Sequence, residues 1–333
     1  MEYQKSSHPL QQISTGEILS IHAYTFTGST SGATIYLQAN LHGPEILGTA
    51  ILGKLITRLE QANDIPGKVI IVPCANPIGV NAVGYNALVG RWNLHNGTNW
   101  NRIFTNHLAW KNLEEQKNYY QSKLTQSNLS IEKKLGATLK LLSWEATHVI
   151  DIHTAGSQSV PHLFTFEDSS QIFSYLGSKV HLILTKEYAS GAFDESHVLP
   201  FIDTLPKDII PKVCTWEVHN HSEIDNSVVL ERFQQLWNCL SYIWGNEKKL
   251  EMHEPSMFLA NNATHLVAPV AGYYSWQKQI GTNIKIDEVY ATVYQPWHNQ
   301  TLSIKAEREF ILLGKYGIDA IAEGEQIGWI VYL

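Results

Sequence analysis

The segment Val149-Ile150-Asp151-Ile152-His153-Thr154-Ala155-Gly156 decides how this chain is read. A short apolar run that ends in polar residues and glycine is the mark of a strand buried in a sheet between helices. Ligands in open α/β sheets collect at the carboxyl ends of such strands. Side chains alternate along a strand with period two, so Asp151 and His153 share a face. His153 alone would read as a satisfied core histidine. Asp151 beside it suits a carboxylate that orients a neighbouring ligand.

Outward from this strand, β-type and helical runs alternate. Residues 18–26 and 33–41 are β-rich, with Gly28 and Gly32 marking the turn between them. Residues 44–61 read as a helix. Pro44 is tolerated in a first turn, and Ile46, Leu47, Ala50, Ile51 and Leu55 follow helical period. Residues 68–73 are another buried strand. Residues 76–98, rich in Gly and Asn, form a long loop of the kind that is usually functional. A helical pair at 107–123 and 130–144 is expected next. Strands at 147–152 and 162–166, a helix at 169–184, a strand at 212–218 and a helix at 226–244 complete the series. This alternation predicts an α/β domain with a largely buried, mixed sheet.

Composition shifts after Asn246. Glu247-Lys248-Lys249-Leu250-Glu251 reads as a charged linker, and residues 263–333 carry short β-type runs with turn residues. Residues 286–294 and 323–331 echo each other, each a turn with an acidic residue followed by an apolar strand. The expected division is a catalytic α/β domain over 1–248 and a small all-β domain over 249–333. A chain of 333 residues accommodates both.

Hydrophobic residues make up 44% and charged residues 17%, so a sizeable core is expected and disorder is not. Lys+Arg 24 against Asp+Glu 31 leaves a net charge of −7, which carries no global footprint for nucleic acid or anionic lipid. Cys74, Cys214 and Cys239 are scattered without a CxxC, so neither a disulfide scaffold nor a cysteine zinc site is expected. The first residues have no apolar h-region, and no run of about 18 apolar residues occurs. The expectation is a soluble, cytoplasmic protein.

The 15 histidines prompt a search for metal chemistry. In Leu41-His42-Gly43-Pro44-Glu45, a histidine at a strand end and a glutamate three residues on, placed in the first turn of the next helix, can aim at one point. Both are good zinc ligands. With His153 they make three protein ligands and leave a fourth position open, the pattern of a catalytic site. In Cys214-Thr215-Trp216-Glu217-Val218-His219-Asn220-His221 an apolar strand ends in a carboxylate, and Glu217 is the candidate general base. His219 and His221 line the pocket, shape the following loop or form a second metal pair. Arg102, in Asn99-Trp100-Asn101-Arg102-Ile103-Phe104, can grip a carboxylate bidentately. Arg91 is a candidate oxyanion stabiliser. Residues 156–161 and 192–200 are expected as pocket walls, where Asp194 and Glu195 would suit an amino group on the substrate.

HGPE at 42–45, NWNRIF at 99–104, DIHTAG at 151–156 and TWEV at 215–218, in that order, resemble the succinylglutamate desuccinylase/aspartoacylase family of the zinc carboxypeptidase superfamily. The resemblance covers roughly residues 30 to 245. It implies a carboxypeptidase-like three-layer α/β/α fold with a mixed central sheet. It implies one zinc ion per chain on His42, Glu45 and His153, with Glu217 as the catalytic carboxylate. It places Asn101 and Arg102 at the substrate carboxylate and Arg91 at the carbonyl. Asn99-Trp100 stands where the family pattern carries Asp-Leu, which removes a negative charge and would signal a different substrate. The final segment resembles lipoyl/biotinyl-type half-barrels but has no Met-Lys-Met carrier motif. The implied activity is hydrolysis of the amide of a small N-acyl amino acid through Glu-assisted attack of metal-bound water. A metallocarboxypeptidase and a non-catalytic ligand-binding relative are the alternatives. The expected partner is the small-molecule substrate, with no nucleic acid or membrane. A homo-oligomer stays open.

Overall fold

The computed structural model describes residues 1–104, 108–188, 190–221, 223–246, 252, 254–317 and 319–333. Nine strands build one large mixed sheet. In chain order they are β1 (Glu2–Gln12), β2 (Ile18–Thr27), β3 (Thr30–Ala39), β4 (Pro66–Val72), β5 (His148–His153), β6 (His162–Phe166), β7 (Val180–Leu184), β8 (Lys212–Glu217) and β9 (Ser256–Leu259). Their spatial order is β1-β2-β4-β3-β5-β8-β6-β7-β9. At the centre, β4, β3, β5 and β8 run parallel. The direction reverses between β8 and β6 and between β4 and β2.

Each face of the sheet carries its own apolar core. Ile150 and Ile152 of β5 and Leu37 of β3 pack with α1 (Leu47–Glu60) and, through Val229, Leu236 and Leu240, with a later helix. The odd-numbered side of β5, with Val149, faces a second core that includes Leu135 and Leu139. Those two belong to the second of a helical pair, α2 (Leu113–Leu124) and α3 (Ile131–Leu142), and the later helix on the first face is α4 (Asn226–Ile243). Strand alternation thus divides one apolar sequence run between two cores.

The expected helix over 169–184 is corrected. A helix spans Glu167–Phe173, a 3-10 turn follows, and Gly177 at φ 73° ends it. Residues 180–184 then enter the sheet as β7, fully buried between β6 and β9. Apolar residues recur on both sides of this break, at Ile172, Phe173 and Leu176 and again at Val180 and Leu182, and period alone does not separate a short buried strand from a buried helix. The first helix also begins later than expected. Glu45 lies in a tight turn, its N–H donating to His42 O at 3.2 Å, and α1 starts only at Leu47.

The C-terminal strands are β10 (Ala263–Val267), β11 (Gly272–Trp276), β12 (Val289–Gln295), β13 (Gln300–Lys305), β14 (Phe310–Lys315) and β15 (Gln326–Tyr332). Strands β10, β15 and β14 with Asn283–Ile284 form one sheet, and β13, β12 and β11 with Ala320–Ile321 form another. The echo between 286–294 and 323–331 is visible here. Glu288 accepts the Lys285 N–H and Glu325 accepts the Ala322 N–H, both at 3.0 Å, and an apolar strand follows each turn. The two strands lie in different sheets.

The charged run 247–251, and with it the expected boundary between 248 and 249, lies outside the described residues. Beyond it the chain first adds β9 to the large sheet and only then builds the smaller ones. In the other direction, Gln158–Ser159 pairs with β14, so the two parts exchange strands.

Candidate metal centre

Strands β3, β5 and β8 are adjacent and parallel, and their carboxyl ends converge on one site. His42 follows β3, His153 ends β5 and Glu217 ends β8 in register with His153. Such convergence at strand ends is where open α/β sheets collect ligands.

His42, Glu45 and His153 are all buried and offer ligand atoms within 4.8 Å of one another. The Glu45 carboxylate lies between the rings, with Oε1 2.8 Å from His42 Nδ1 and Oε2 2.7 Å from His153 Nδ1. Each ring is held from behind. Nε2 of His153 lies 2.9 Å from Asp151 Oδ2, and Nε2 of His42 lies 2.9 Å from Asn99 Oδ1. All four contacts are to acceptor oxygens, so a neutral ring can donate from only one nitrogen, and a metal taken up by Nδ1 would leave the proton on Nε2, facing Asp151 or Asn99. Asn99 Oδ1 also accepts the Asn101 N–H at 2.8 Å, which fixes the amide orientation. Two imidazoles with outer acceptors and one carboxylate form a donor set that fits a divalent metal such as zinc. The Asp151 carboxylate is steadied in turn by Gln38 Nε2 at 3.0 Å, and Gln38 Oε1 takes the Tyr36 hydroxyl at 2.9 Å.

Gly43 makes the His42–Glu45 turn possible. Its N–H donates to Gly90 O at 2.9 Å, and a Cβ there would meet Gly79 O at 2.2 Å. The 76–98 segment therefore packs directly on the HGPE turn. It is more ordered than a loop, with a short helix Pro77–Val80 and a small hairpin of Val83–Gly84 with Ala87–Leu88.

Glu217 borders both cavities at the site. Its Oε2 is buried without a hydrogen-bond partner among the described residues. Burial, reinforced by the nearby Glu45 charge, pushes its carboxyl up to about 7. Arg91 also borders both cavities, and its Nη1 donates to Glu45 Oε1 at 2.7 Å. Arg102 is exposed at the rim of both, with Nη1 on Asn101 O at 2.6 Å. Asn101 is buried and uses its Oδ1 to accept the Phe193 N–H at 2.9 Å, so it anchors the 190–197 segment beside the site.

His219 and His221 separate in role. His221 Nε2 accepts the Gly156 N–H at 3.1 Å and Nδ1 lies 2.7 Å from Thr154 Oγ1, which shapes the loop after His153 and lines a cavity. His219 supplies its carbonyl to the Ala155 N–H at 3.0 Å. Asp194 and Glu195 are both buried in the inner cavity wall rather than turned to solvent. Glu195 Oε2 accepts the N–H groups of Ser190, Gly191 and Ala192, so it is spent on the loop. Asp194 is pushed up to about 7, chiefly by burial and then by Glu195.

Asn99 and Gln38 were not read from sequence as parts of this centre. The loss of the family's Asp at position 99 suggested a change of substrate. The structure places Asn99 behind His42, with its amide oxygen 2.9 Å from Nε2. The cavity wall formed by His265, Tyr316 and Trp329 was also missed, because nothing local to those residues marks a site.

Fold and site together define a mixed α/β protein with a metal-competent cluster at its strand ends and added C-terminal β-sheets. Residues 31–178, which hold the HGPE, NWNRIF and DIHTAG motifs, match the model of the succinylglutamate desuccinylase/aspartoacylase catalytic domain, so the resemblance to that family is borne out. Among solved structures, a protein described as a succinylglutamate desuccinylase/aspartoacylase from Shewanella frigidimarina NCIMB 400 superposes with TM-score 0.89 at 22% identity, covering 99% of this chain and 97% of that one. A family protein from Shewanella amazonensis SB2B gives 0.87 at 20% identity, covering 98% of each chain. The product-bound ectoine utilization protein EutE (DoeB) from Ruegeria pomeroyi gives 0.73 at 13% identity, covering 99% and 95%. At these identities the likeness establishes the fold. No curated protein matches the chain. Among the described residues, no helix is long and apolar enough to cross a membrane.

Proposed function

We propose that this chain is a zinc-dependent hydrolase that cleaves the amide of a small N-acyl amino acid to a carboxylic acid and a free amine. The observation that carries this reading is the pairing of the metal-competent triad with Glu217, whose buried carboxylate oxygen has no hydrogen-bond partner among the described residues. The match of residues 31–178 to a deacylase catalytic domain supports it. The two apolar cores on opposite faces of the sheet support a carboxypeptidase-like three-layer arrangement.

His42, Glu45 and His153 would hold the ion, one per chain. Zinc there supplies Lewis acidity, which acidifies water and draws charge from an amide carbonyl. Glu217 accepts a proton from the attacking water and delivers it to the amine nitrogen as the C–N bond breaks. One water is consumed, its hydroxyl going to the acyl carbon and its proton to the amine. Arg102, at the exposed rim, binds the substrate carboxylate and sets its orientation, with Asn101 holding the wall beside it. Arg91 adds positive charge where the carbonyl oxygen turns anionic.

Glu217→Gln tests the central step. It should retain zinc, measured by elemental analysis, while kcat on N-acyl amino acids falls by about 10²–10⁴-fold. Full turnover in that variant would remove Glu217 from proton transfer. Short peptides run beside the N-acyl amino acids separate deacylase from carboxypeptidase activity.

A further inference from the structure

Two cavities meet at the reacting centre, and they are unequal. The inner one, about 80 Å³, is bounded by polar groups that include His42, His153, Asp194 and Thr215. The outer one is about 490 Å³. Arg91, Arg102, Phe164, Tyr188 and Glu217 border both, so a bond held at Glu217 has one substituent in each space.

The outer cavity is walled by rings, several of them from the C-terminal sheets. His265 comes from β10, Tyr316 follows β14 and Trp329 comes from β15. They are set against one another before any ligand arrives. The Tyr316 hydroxyl lies 2.7 Å from His265 Nδ1, and the His265 and Trp329 rings meet edge-on with centroids 4.8 Å apart. Backbone bonds lock this wall to the loop after His153. Ser157 N–H donates to Lys315 O at 3.0 Å and Val160 N–H donates to Leu313 O at 2.9 Å. An acetyl or carboxymethyl group would leave most of the space to water. Fixed rings around a space of this size recognise flat apolar groups through stacked and edge-on contacts.

We propose that the substituent lying in the outer cavity carries an aromatic ring or an equally broad planar apolar group, selected by His265, Tyr316 and Trp329. The identity of the reacting bond rests on the amide-hydrolase reading above, whereas the ring preference is a property of binding.

The test uses the zinc-loaded full chain with N-acetylglycine, N-acetylaspartate, N-acetylphenylalanine and N-benzoylglycine. The last two carry the ring on the amine side and the acyl side, so they report which half enters the outer cavity. One of them should exceed both ring-free amides in kcat/KM by at least about tenfold. Trp329→Leu, which keeps apolar bulk but removes the ring, should cut that preference at least about fivefold. Tyr316→Ala serves as a second variant, and circular dichroism checks that both fold. Calorimetry of the same four ligands on Glu217→Gln reads binding without turnover. Tighter binding of a ring-bearing amide, with no amide hydrolysed by the unaltered chain, would sustain the inference and overturn the hydrolase reading. Equal affinity and equal kcat/KM across the four, a preference for N-acetylaspartate, or a ring preference undiminished in both wall variants would overturn the inference.

Discussion

Asp151 shows how much one residue can state in sequence. Its spacing from His153 alone puts both on one strand face, and the structure sets its carboxylate 2.9 Å from His153 Nε2. The consequence is an acceptor for Nε2–H that orients the ring with Nδ1 toward Glu45. Asp151→Asn keeps the shape but weakens the acceptor and allows the amide to turn its NH₂ toward the ring. Zinc affinity should fall by about 10–100-fold, measured by competition with a chelator. His42 depends on Asn99, which is distant in the chain, and no spacing rule connects 42 with 99. Its role becomes visible only when the segment that carries it folds back over the strand ends.

At the scale of elements, the HGPE turn behaves as a unit with the segment packed on it. Gly43 is required because the Gly79 carbonyl occupies the place where a side chain would begin. Gly43→Ala should cost about 1–3 kcal/mol of stability, seen as a lower urea midpoint, and should weaken metal binding with it. Elements with a clear period were legible. Strand β6 is found at the residues expected of it, and the helix expected at 226–244 is found as Asn226–Ile243. Strand β7 was not legible, because Val180 to Leu184, apolar apart from His181, follows a helix after only a short break. Strand β1 was missed for the opposite reason. It is an edge strand, mostly exposed, and only Leu10 of its residues is buried.

Across the whole molecule, burial of neutral histidines ties stability to pH. His162 and His181 are each pushed down to about 4, mainly by loss of hydration. The unfolded chain protonates such rings near 6.5, so their contribution is complete above that pH and is lost as pH falls through about 4. These two rings therefore impose a decline on the urea midpoint between about pH 6.5 and about pH 4, opposed by Glu217 and Asp194, whose carboxyls are held up to about 7 and act in the other direction. His181 lies in β7, where Ser170 Oγ is 2.7 Å from its Nδ1. His181→Leu should flatten part of that decline, and an unchanged slope would remove His181 as a cause. The α/β class was readable from alternation, and the β-rich C-terminal sheets from the shift in composition after Asn246. The cavity wall was not, since it joins β10, β14 and β15 to β6 and to the loop after β5. Those contacts span more than a hundred residues and leave no local pattern.

The order of residues along the chain gives this wall a consequence for synthesis. Every candidate metal ligand and Glu217 has been made once residue 217 is complete. Trp329 arrives later, in β15, which must slot between β10 and β14. Chains grow from the N-terminus and fold progressively. A nascent chain therefore carries every candidate metal ligand before the last rings of its outer chamber have been made. The ring wall of that chamber is completed last, when β15 enters the C-terminal sheet.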